Sequence, residues 1–304
     1  MHSHDNHSSH RIGWAFFLNL GFTIIEFIGG LLTNSIAIMA DAIHDLGDSI
    51  SIGMSWLLNK LSEKEPDTTF TYGYYRFSLL GALINGLVLV LGSAWILFEA
   101  IPRLNDSVMP NVEGMFGLAI FGVVVNGYAA YKLSTGKSLN ERVLNWHLIE
   151  DVLGWVAVLL VSIILMFIDA PILDPILSIL FTLFILFNVA KNLSLTIKTF
   201  LQATPDKQLL KEVELKLVKL ENVKSVHHLH FWSLDGENHV LTGHVVLVKT
   251  VTLNSLLSLK AEIKEQLEAY QFKHTTIELE FSDELCRDKD DANDVGKEIN
   301  RTIA

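Results

Sequence analysis

Two short stretches of this chain carry the residue types that bind metal. ADAIHDLGDS holds His44 and Asp48, and LNWHLIEDVLGW holds His147 and Asp151. Each is an H-x-x-x-D inside an apolar segment long enough to cross a bilayer. Four residues of α-helix make one turn plus a small offset, so each His shares a face with its Asp, roughly 6 Å away along the axis. An ionisable group at membrane depth is costly and faces a polar pathway or a partner. Two imidazoles and two carboxylates form a tetrahedral set suited to Zn²⁺, and the two carboxylates cancel the charge of the ion. The pattern predicts a carrier of divalent metal through a membrane.

Composition agrees. Half of the 304 residues are hydrophobic and only 19% are charged, against about a quarter in soluble domains. The segment 14–199 is nearly all apolar, and most acids and lysines follow Thr204. The net charge of −11 argues against nucleic acid as a partner. Cys286 is the single cysteine, which excludes an internal disulfide framework. The start MHSHDNHSSHR lacks a basic run and a cleavage site, so the first apolar segment reads as a span rather than a signal peptide.

Stepping outward from the two motifs, the apolar runs predict spans at Trp14–Leu32, Ile36–Leu58, Phe77–Ala100, Val112–Leu133, about Leu139–Ile168 and Pro175–Phe200. Turn-forming residues separate them: Thr33-Asn34-Ser35, Glu65-Pro66-Asp67, Asp106 to Pro110, Ser134 to Lys137 and Asp169 to Pro171. Alternate loops on one side hold Arg11, Lys60, Lys64, Arg76, Lys132, Lys137, Arg142, Lys191 and Lys198, whereas the other side holds only Arg103. Both termini are therefore expected in the cytoplasm. The second and fifth spans then run antiparallel, and the His of one can lie level with the Asp of the other.

After Asp206 the pattern changes. Lys207–Leu220 reads as an amphipathic helix, and VKSVHHLHFWSL and HVLTGHVVLV as strands around an Asp235-Gly236 turn. Thr252–Tyr270 reads as a second helix and TTIELEF as a third strand. The expected organisation is a His-rich tail over 1–13, a six-helix transmembrane domain over 14–200, an α+β (αββαβ) domain over 206–282 and an acidic tail over 283–304.

Several stretches together resemble the cation diffusion facilitator family, the zinc/proton antiporters. They are MADAIHDLGDS, TYGYYRFSLLGALING, WILFEAIPRL, the second H-x-x-x-D, DPILSILFTLFIL, VHHLHFWSL, GHVVLV and HTTIELEF, in order from Trp14 to Phe281. The resemblance implies six transmembrane helices, a cytoplasmic domain with a metallochaperone-like fold, a homodimer, and exchange of Zn²⁺ against H⁺ by alternating access. It places the transport site on His44, Asp48, His147 and Asp151, and a regulatory metal site on His227, His244 and Glu280, with His274 as a possible fourth ligand. It is not a family of enzymes. The short loops fit a multi-pass protein of a bacterial inner membrane.

Imidazole nitrogen suits Zn²⁺ and similar borderline ions, whereas an all-carboxylate site suits Mn²⁺ or Mg²⁺. A His on both helices therefore points to Zn²⁺, with Cd²⁺ or Co²⁺ as further cargoes. Ligands shed protons to bind metal, so the same residues can carry protons back. A cation channel with the same polar site, or a metal sensor working through the soluble domain, are the competing readings. The channel would need weaker binding than a closed four-ligand set gives, and a sensor leaves the buried site unexplained. A metallohydrolase lacks its signatures: there is no H-E-x-x-H and no nucleophile beside the ligands.

Other residues carry weaker signals. Asp45 and Glu150 adjoin ligands but point about 100° away, toward the approach path or a neighbouring helix. Trp155 could narrow the cavity. Asp41 reads as a packing or outer-gate residue, and Asn19, Glu26, Asn85 and Asn126 as interhelical hydrogen-bond partners. Glu99 and Arg103 have ion-pair spacing. The loop EPDTTFTYGYYR contains no His, so the further loop site of some relatives is expected to be absent. Strand alternation puts His228 opposite His227. Cys286 stands just beyond the last strand, where some relatives supply a thiolate, and its role stays open. His2, His4, His7 and His10 form a metal-catching composition without a fold to hold them.

Overall fold

A computed structural model describes residues 5–62, 64–133, 139–248, 252–286 and 288, with side chains described for 16–54, 57, 61, 64–132, 148–248, 252–286 and 288. The chain divides into two compact units, Met1–Lys64 with Leu80–Ser194, and Glu65–Leu79 with Leu195–Ala304.

The first unit is built from long helices: α1 (Asp5–Thr33), α2 (Ile36–Ser62), α3 (Phe77–Ala100), α4 (Val112–Leu133), α5 (Leu139–Phe167) and α6 (Leu173–Phe200). At 1.5 Å per residue each reaches the roughly 30 Å of a hydrocarbon core. Five are apolar enough along their length to cross a membrane, namely Phe16–Thr33, Phe77–Leu104, Val112–Lys132, Leu148–Phe167 and Leu173–Phe200. The helix α2 is as long, but Asp41, Asp45 and Asp48 dilute its apolar character. Large apolar side chains such as Leu18, Leu91, Phe98, Phe167 and Phe187 stand exposed on these helices. In water such a surface would aggregate, whereas lipid tails accept it. The six helices form a multi-pass membrane domain. One boundary differs from expectation: α1 begins at Asp5 rather than Trp14, so His7 and His10 lie on its first turns. A helix need not stop where its apolar character stops, because its backbone bonds are satisfied internally.

The helix α1 packs along α2, and α4 along α5, while α2 and α5 meet over a short stretch. On one side of α2, Ile36, Met39, Ala40 and Ile43 pack with Leu89 and Ile96 of α3 and Ile185 and Val189 of α6. On another, Ala37 and Ile38 pack with Met115 and Ala119 of α4 and Trp155 and Val158 of α5. Every residue of α2 from Ile36 to Ile43 is buried, and only beyond it does the helix become partly accessible.

The second unit contains α7 (Lys207–Val218), β1 (Val223–Ser233), β2 (His239–Leu247), α8 (Leu253–Glu268) and β3 (His274–Glu280), the expected αββαβ order. The Asp206 carboxylate caps α7 by accepting from the backbone N–H of Gln208 and Leu209. The Asp235–Asn238 turn joins β1 and β2 antiparallel, and β3 returns parallel to β2 in the order β1-β2-β3. Alternation sends Val226, Val245 and Leu279 into a core with Val213 and Leu217 of α7 and Leu259 and Ile263 of α8. It leaves His227, His244 and Glu280 on the sheet face away from those helices.

Candidate metal centres

Between α2 and α5, His44 Nε2 lies 3.7 Å from Asp48 Oδ2 and 3.9 Å from Asp151 Oδ1. Helix periodicity puts His44 and Asp48 on one face of α2, and the crossing of α5 brings Asp151 to them. The three offer donor atoms within 4.8 Å of one another. Two ligands on a tetrahedral ion with bonds near 2.0 Å sit roughly 3.3 Å apart, so side-chain adjustments of a few tenths of an ångström close this set. His147 occupies α5 one turn before Asp151, and its side chain lies outside the described residues.

The helix that carries two of these ligands is anchored from a distance. Asp174, 2% exposed at the start of α6, accepts from Ser35 Oγ (2.6 Å), Ile36 N (2.8 Å) and Ala37 N (3.3 Å). It thus caps α2 from another helix, satisfying N–H groups that have no partner within α2. Sequence reasoning missed this role. The available signal was an acid immediately before Pro175 at a span entrance, the N-terminal acid typical of helix starts.

The neighbouring polar residues have distinct places. Asp45 is buried and Asn19 of α1 donates to its backbone carbonyl (3.3 Å), so it lies against a neighbouring helix, while Glu150 is exposed; Glu26 departs from the expectation, because neither of its buried carboxylate oxygens has a hydrogen-bond partner among the described residues. Asn19 donates to Ser49 Oγ (3.0 Å) and Asn85 to Ser51 Oγ (2.8 Å), both across helices. Asn126 departs from the expectation: its Nδ2 has no hydrogen-bond partner among the described residues. Asp41 is buried and lies beside Gly154 of α5. Arg103 pairs with Glu99 (2.7 Å) and also donates to Asn34 Oδ1 (3.0 Å), so this pair ties α3 to the α1–α2 turn. Trp155 does not narrow a cavity. It is 1% exposed and packs so closely on α4 that a Cβ on Gly122 would fall 2.1 Å from the indole. In the second unit, Asp67 serves its own loop, accepting from Thr69 N, Phe70 N and Tyr74 Oη.

The second cluster sits on the open face of the sheet. His244 Nδ1 lies 2.7 Å from Glu280 Oε1, and His227 Nε2 lies 3.1 Å from Glu280 Oε2. The His227 nitrogen is buried, and its approach to that oxygen lacks hydrogen-bond geometry. His227 and His244 are directly paired across β1 and β2, and Glu280 pairs with Val246 on β3. Cys286 Sγ lies 3.6 Å from His244 Nδ1, and the four side chains offer donor atoms within 4.8 Å of one another. Burial pushes the Glu280 carboxyl up, but the Cys286 thiol and the two imidazoles outweigh it and hold it below the ordinary carboxylate value. Burial and the Glu280 and Asp288 carboxylates push the Cys286 thiol up.

Two expectations are corrected here. His274 is not in the cluster. It is the first residue of β3, paired with Val240, whereas Glu280 is the last. At about 3.3 Å per residue they are roughly 20 Å apart, and the His274 ring instead stands edge-on to Tyr72 at 4.9 Å. His228 does not lie on the opposite face. The β1–β2 register slips between His227 and His230, and His228 takes φ +49°. This bulge turns its ring to 5.0 Å from His227 and 5.3 Å from His244. Gly243 permits it, because a Cβ there would meet Leu229 Cδ1 at 2.6 Å.

A multi-span helical protein with an acid–imidazole site between two spans and a second such site on a soluble domain is, by its parts, a membrane carrier of cations. Comparison with known proteins agrees. Residues 14–201 match the family model of the cation efflux transmembrane domain, and residues 205–282 that of the cation efflux protein cytoplasmic domain. The chain is 32% identical over 287 residues to a cadmium, cobalt and zinc/H(+)-K(+) antiporter of Bacillus subtilis, covering 92% of this chain and 91% of that protein. It is 34% identical to the zinc transporter ZitB of Pectobacterium atrosepticum (92% and 88% covered) and 32% identical to the metal cation efflux system protein CzcD of Cupriavidus metallidurans (92% and 90%). The chain belongs to the cation efflux, or cation diffusion facilitator, family.

Proposed function

We propose that this protein exports Zn²⁺ in exchange for protons, by alternating access in a homodimer, at a site made of His44, Asp48, His147 and Asp151. Cd²⁺ and Co²⁺ are further cargoes. The observation that carries the reading is the approach of His44 to Asp48 and Asp151 between two membrane helices. Two carboxylates balance a divalent charge, and imidazole makes the set borderline-soft. Metal entry displaces ligand protons, and metal release lets protons return, which couples the two fluxes without a separate proton path. A relative named as a cadmium, cobalt and zinc/H(+)-K(+) antiporter and another named as a zinc transporter support this cargo and an exchange that involves protons.

With the basic loops inside, both termini are cytoplasmic in the cell membrane, and the fully buried start of α2 forms the outer seal. The accessible side of the ligands then opens to the cytoplasm. His227, His244 and Glu280 form a regulatory metal site on the cytoplasmic domain. Regulation requires that this metal bind the two transport conformations unequally.

The test is metal uptake into proteoliposomes with an imposed pH gradient. Saturable Zn²⁺ uptake that alkalinises the lumen in proportion to metal moved is the expected result. Flux indifferent to the gradient, or conduction that does not saturate, replaces exchange with a channel.

A further inference from the structure

A carrier needs a route by which its cation leaves on the outer side, and the start of α2 is fully buried there. We propose that the route is a polar seam between α2 and α6, lined by Ser178 and Thr182, closed in this conformation and filled by water when α6 parts from α2. This rests on the transport reading of His44, Asp48, His147 and Asp151 and adds the residues through which that site empties.

Three observations carry it. The first is a pair of hydroxyls without a partner. Ser178 is 0% exposed and Thr182 1%, and neither Ser178 Oγ nor Thr182 Oγ1 has a hydrogen-bond partner among the described residues. A helical serine or threonine can avoid this by bonding a carbonyl one turn back. Thr23 does so with Asn19 O (2.9 Å) and Ser162 with Leu159 O (2.8 Å). Leaving a buried hydroxyl unpaired is costly, and an apolar side chain of the same shape would avoid that cost. The second is placement. Asp174, Ser178 and Thr182 recur every four residues of α6 and are all buried, so they form one row. To one side of the row, Leu177 and Phe181 pack with the cluster that holds Trp155 and Val158 of α5; to the other, Ile179 and Ile185 pack with the cluster that holds Leu89 and Ile96 of α3. The helix α2 supplies Ala37 and Ile38 to the first cluster and Ile36 and Ala40 to the second, so the row runs along α2. The third is reach. Asp174 bonds the first N–H groups of α2, so the two helices start level and run the same way. Each rises 1.5 Å per residue, which puts Ser178 roughly 6 Å and Thr182 roughly 12 Å further in, at the depths of Ala40 and His44. The seam thus leads from the outer cap of α2 to the depth of the ion site. A departing cation takes up water in place of its protein ligands, and a hydroxyl can both donate to and accept from that water.

The seam is tested by thiol labelling from outside. Cells exporting Zn²⁺ through the full-length Ser178→Cys or Thr182→Cys variant are treated with a membrane-impermeant cationic methanethiosulfonate, and peptide mass spectrometry separates these positions from Cys286, the only native cysteine. Ile179→Cys and Leu183→Cys are the controls, one residue further along on faces that meet the α3 side and, at 51% exposed, the lipid. Label on both seam positions and on neither control is the expected result. Equal label on all four means that α6 merely loosens, and overturns the proposal; so does a seam variant that transports Zn²⁺ without taking label. A second measurement removes only the hydroxyls. Ser178→Ala with Thr182→Val should raise the Tm, because two unpaired buried groups are gone, yet lower the maximal Zn²⁺ flux roughly tenfold, the worth of one hydrogen bond made only on the way out. Half-saturating cytoplasmic Zn²⁺ should not change. A raised Tm with undiminished flux assigns the hydroxyls no part in release and overturns the proposal. Absence of Zn²⁺ flux in the unsubstituted protein overturns instead the transport reading beneath it.

Discussion

The proposed transport site and the proposed regulatory site use nearly the same chemistry on opposite kinds of scaffold. In the membrane, His44 and Asp48 share one helical face and Asp151 comes from a second helix, with contacts of 3.7 and 3.9 Å. On the sheet, His227, His244 and Glu280 come from three adjacent strands and already touch at 2.7 and 3.1 Å. A site between two helices that meet briefly can be opened by moving one helix against the other. A site across a hydrogen-bonded sheet cannot change without breaking strand pairing. The first arrangement suits a cargo that must leave, and the second a ligand that stays and reports.

The sharpest way to break this contrast is to remove a membrane ligand. His44→Ala or Asp151→Ala should lower Zn²⁺ flux in proteoliposomes by at least roughly a hundredfold, since even indirect supports of metal sites are worth 10–100-fold. Size-exclusion profiles should stay unchanged. Undiminished flux in either variant removes these residues from the transport site.

A smaller effect is expected on the sheet. The His227→Ala, His244→Ala double variant should keep transport at saturating Zn²⁺ while changing its dependence on cytoplasmic Zn²⁺. Complete loss of flux in a folded double variant would reverse the roles assigned to the two sites.

Smaller again is the bulge. Gly243→Val forces its side chain against Leu229, and overpacking of this kind costs about 1–3 kcal/mol. Faster amide hydrogen exchange in β1 and β2, with α2 and α5 unaltered, is the expected signature. Unchanged exchange in the strands would show that the bulge tolerates a Cβ.

The smallest effect is on pH. Glu280 is held below the ordinary carboxylate value by Cys286, His227 and His244 despite its burial. The folded domain therefore binds this proton less tightly than the unfolded chain does. The stabilisation is present at neutral pH and is lost as pH falls through the depressed value. Metal-free protein should thus show faster exchange in β3 on acidification below the usual carboxylate range, and Glu280→Gln should flatten that dependence. An equal slope in both proteins would assign the acid sensitivity to other carboxylates.

Much of the molecule was legible in its sequence, because helices and strands repeat over short distances. The 3.6-residue period put His44 with Asp48 and apolar run lengths marked the spans, while His227, His244 and Glu280 came only from the resemblance to the family. The same local logic failed wherever a residue's partners are far along the chain. Asp174 caps α2 across some 138 residues, and no local pattern contains that bond. His228 left the face that alternation assigned it because Gly243, on the opposite strand, leaves room for a bulge. His274 and Cys286 exchanged places as fourth neighbour of the cluster for the same kind of reason. Parallel pairing carries His274 to the far end of β3, while a turn stabilised by Glu284 returns Cys286 to His244. Periodicity fixes which face a residue takes within an element. Register, turns and bulges fix which residues of different elements meet, and those depend on packing that only the folded chain provides.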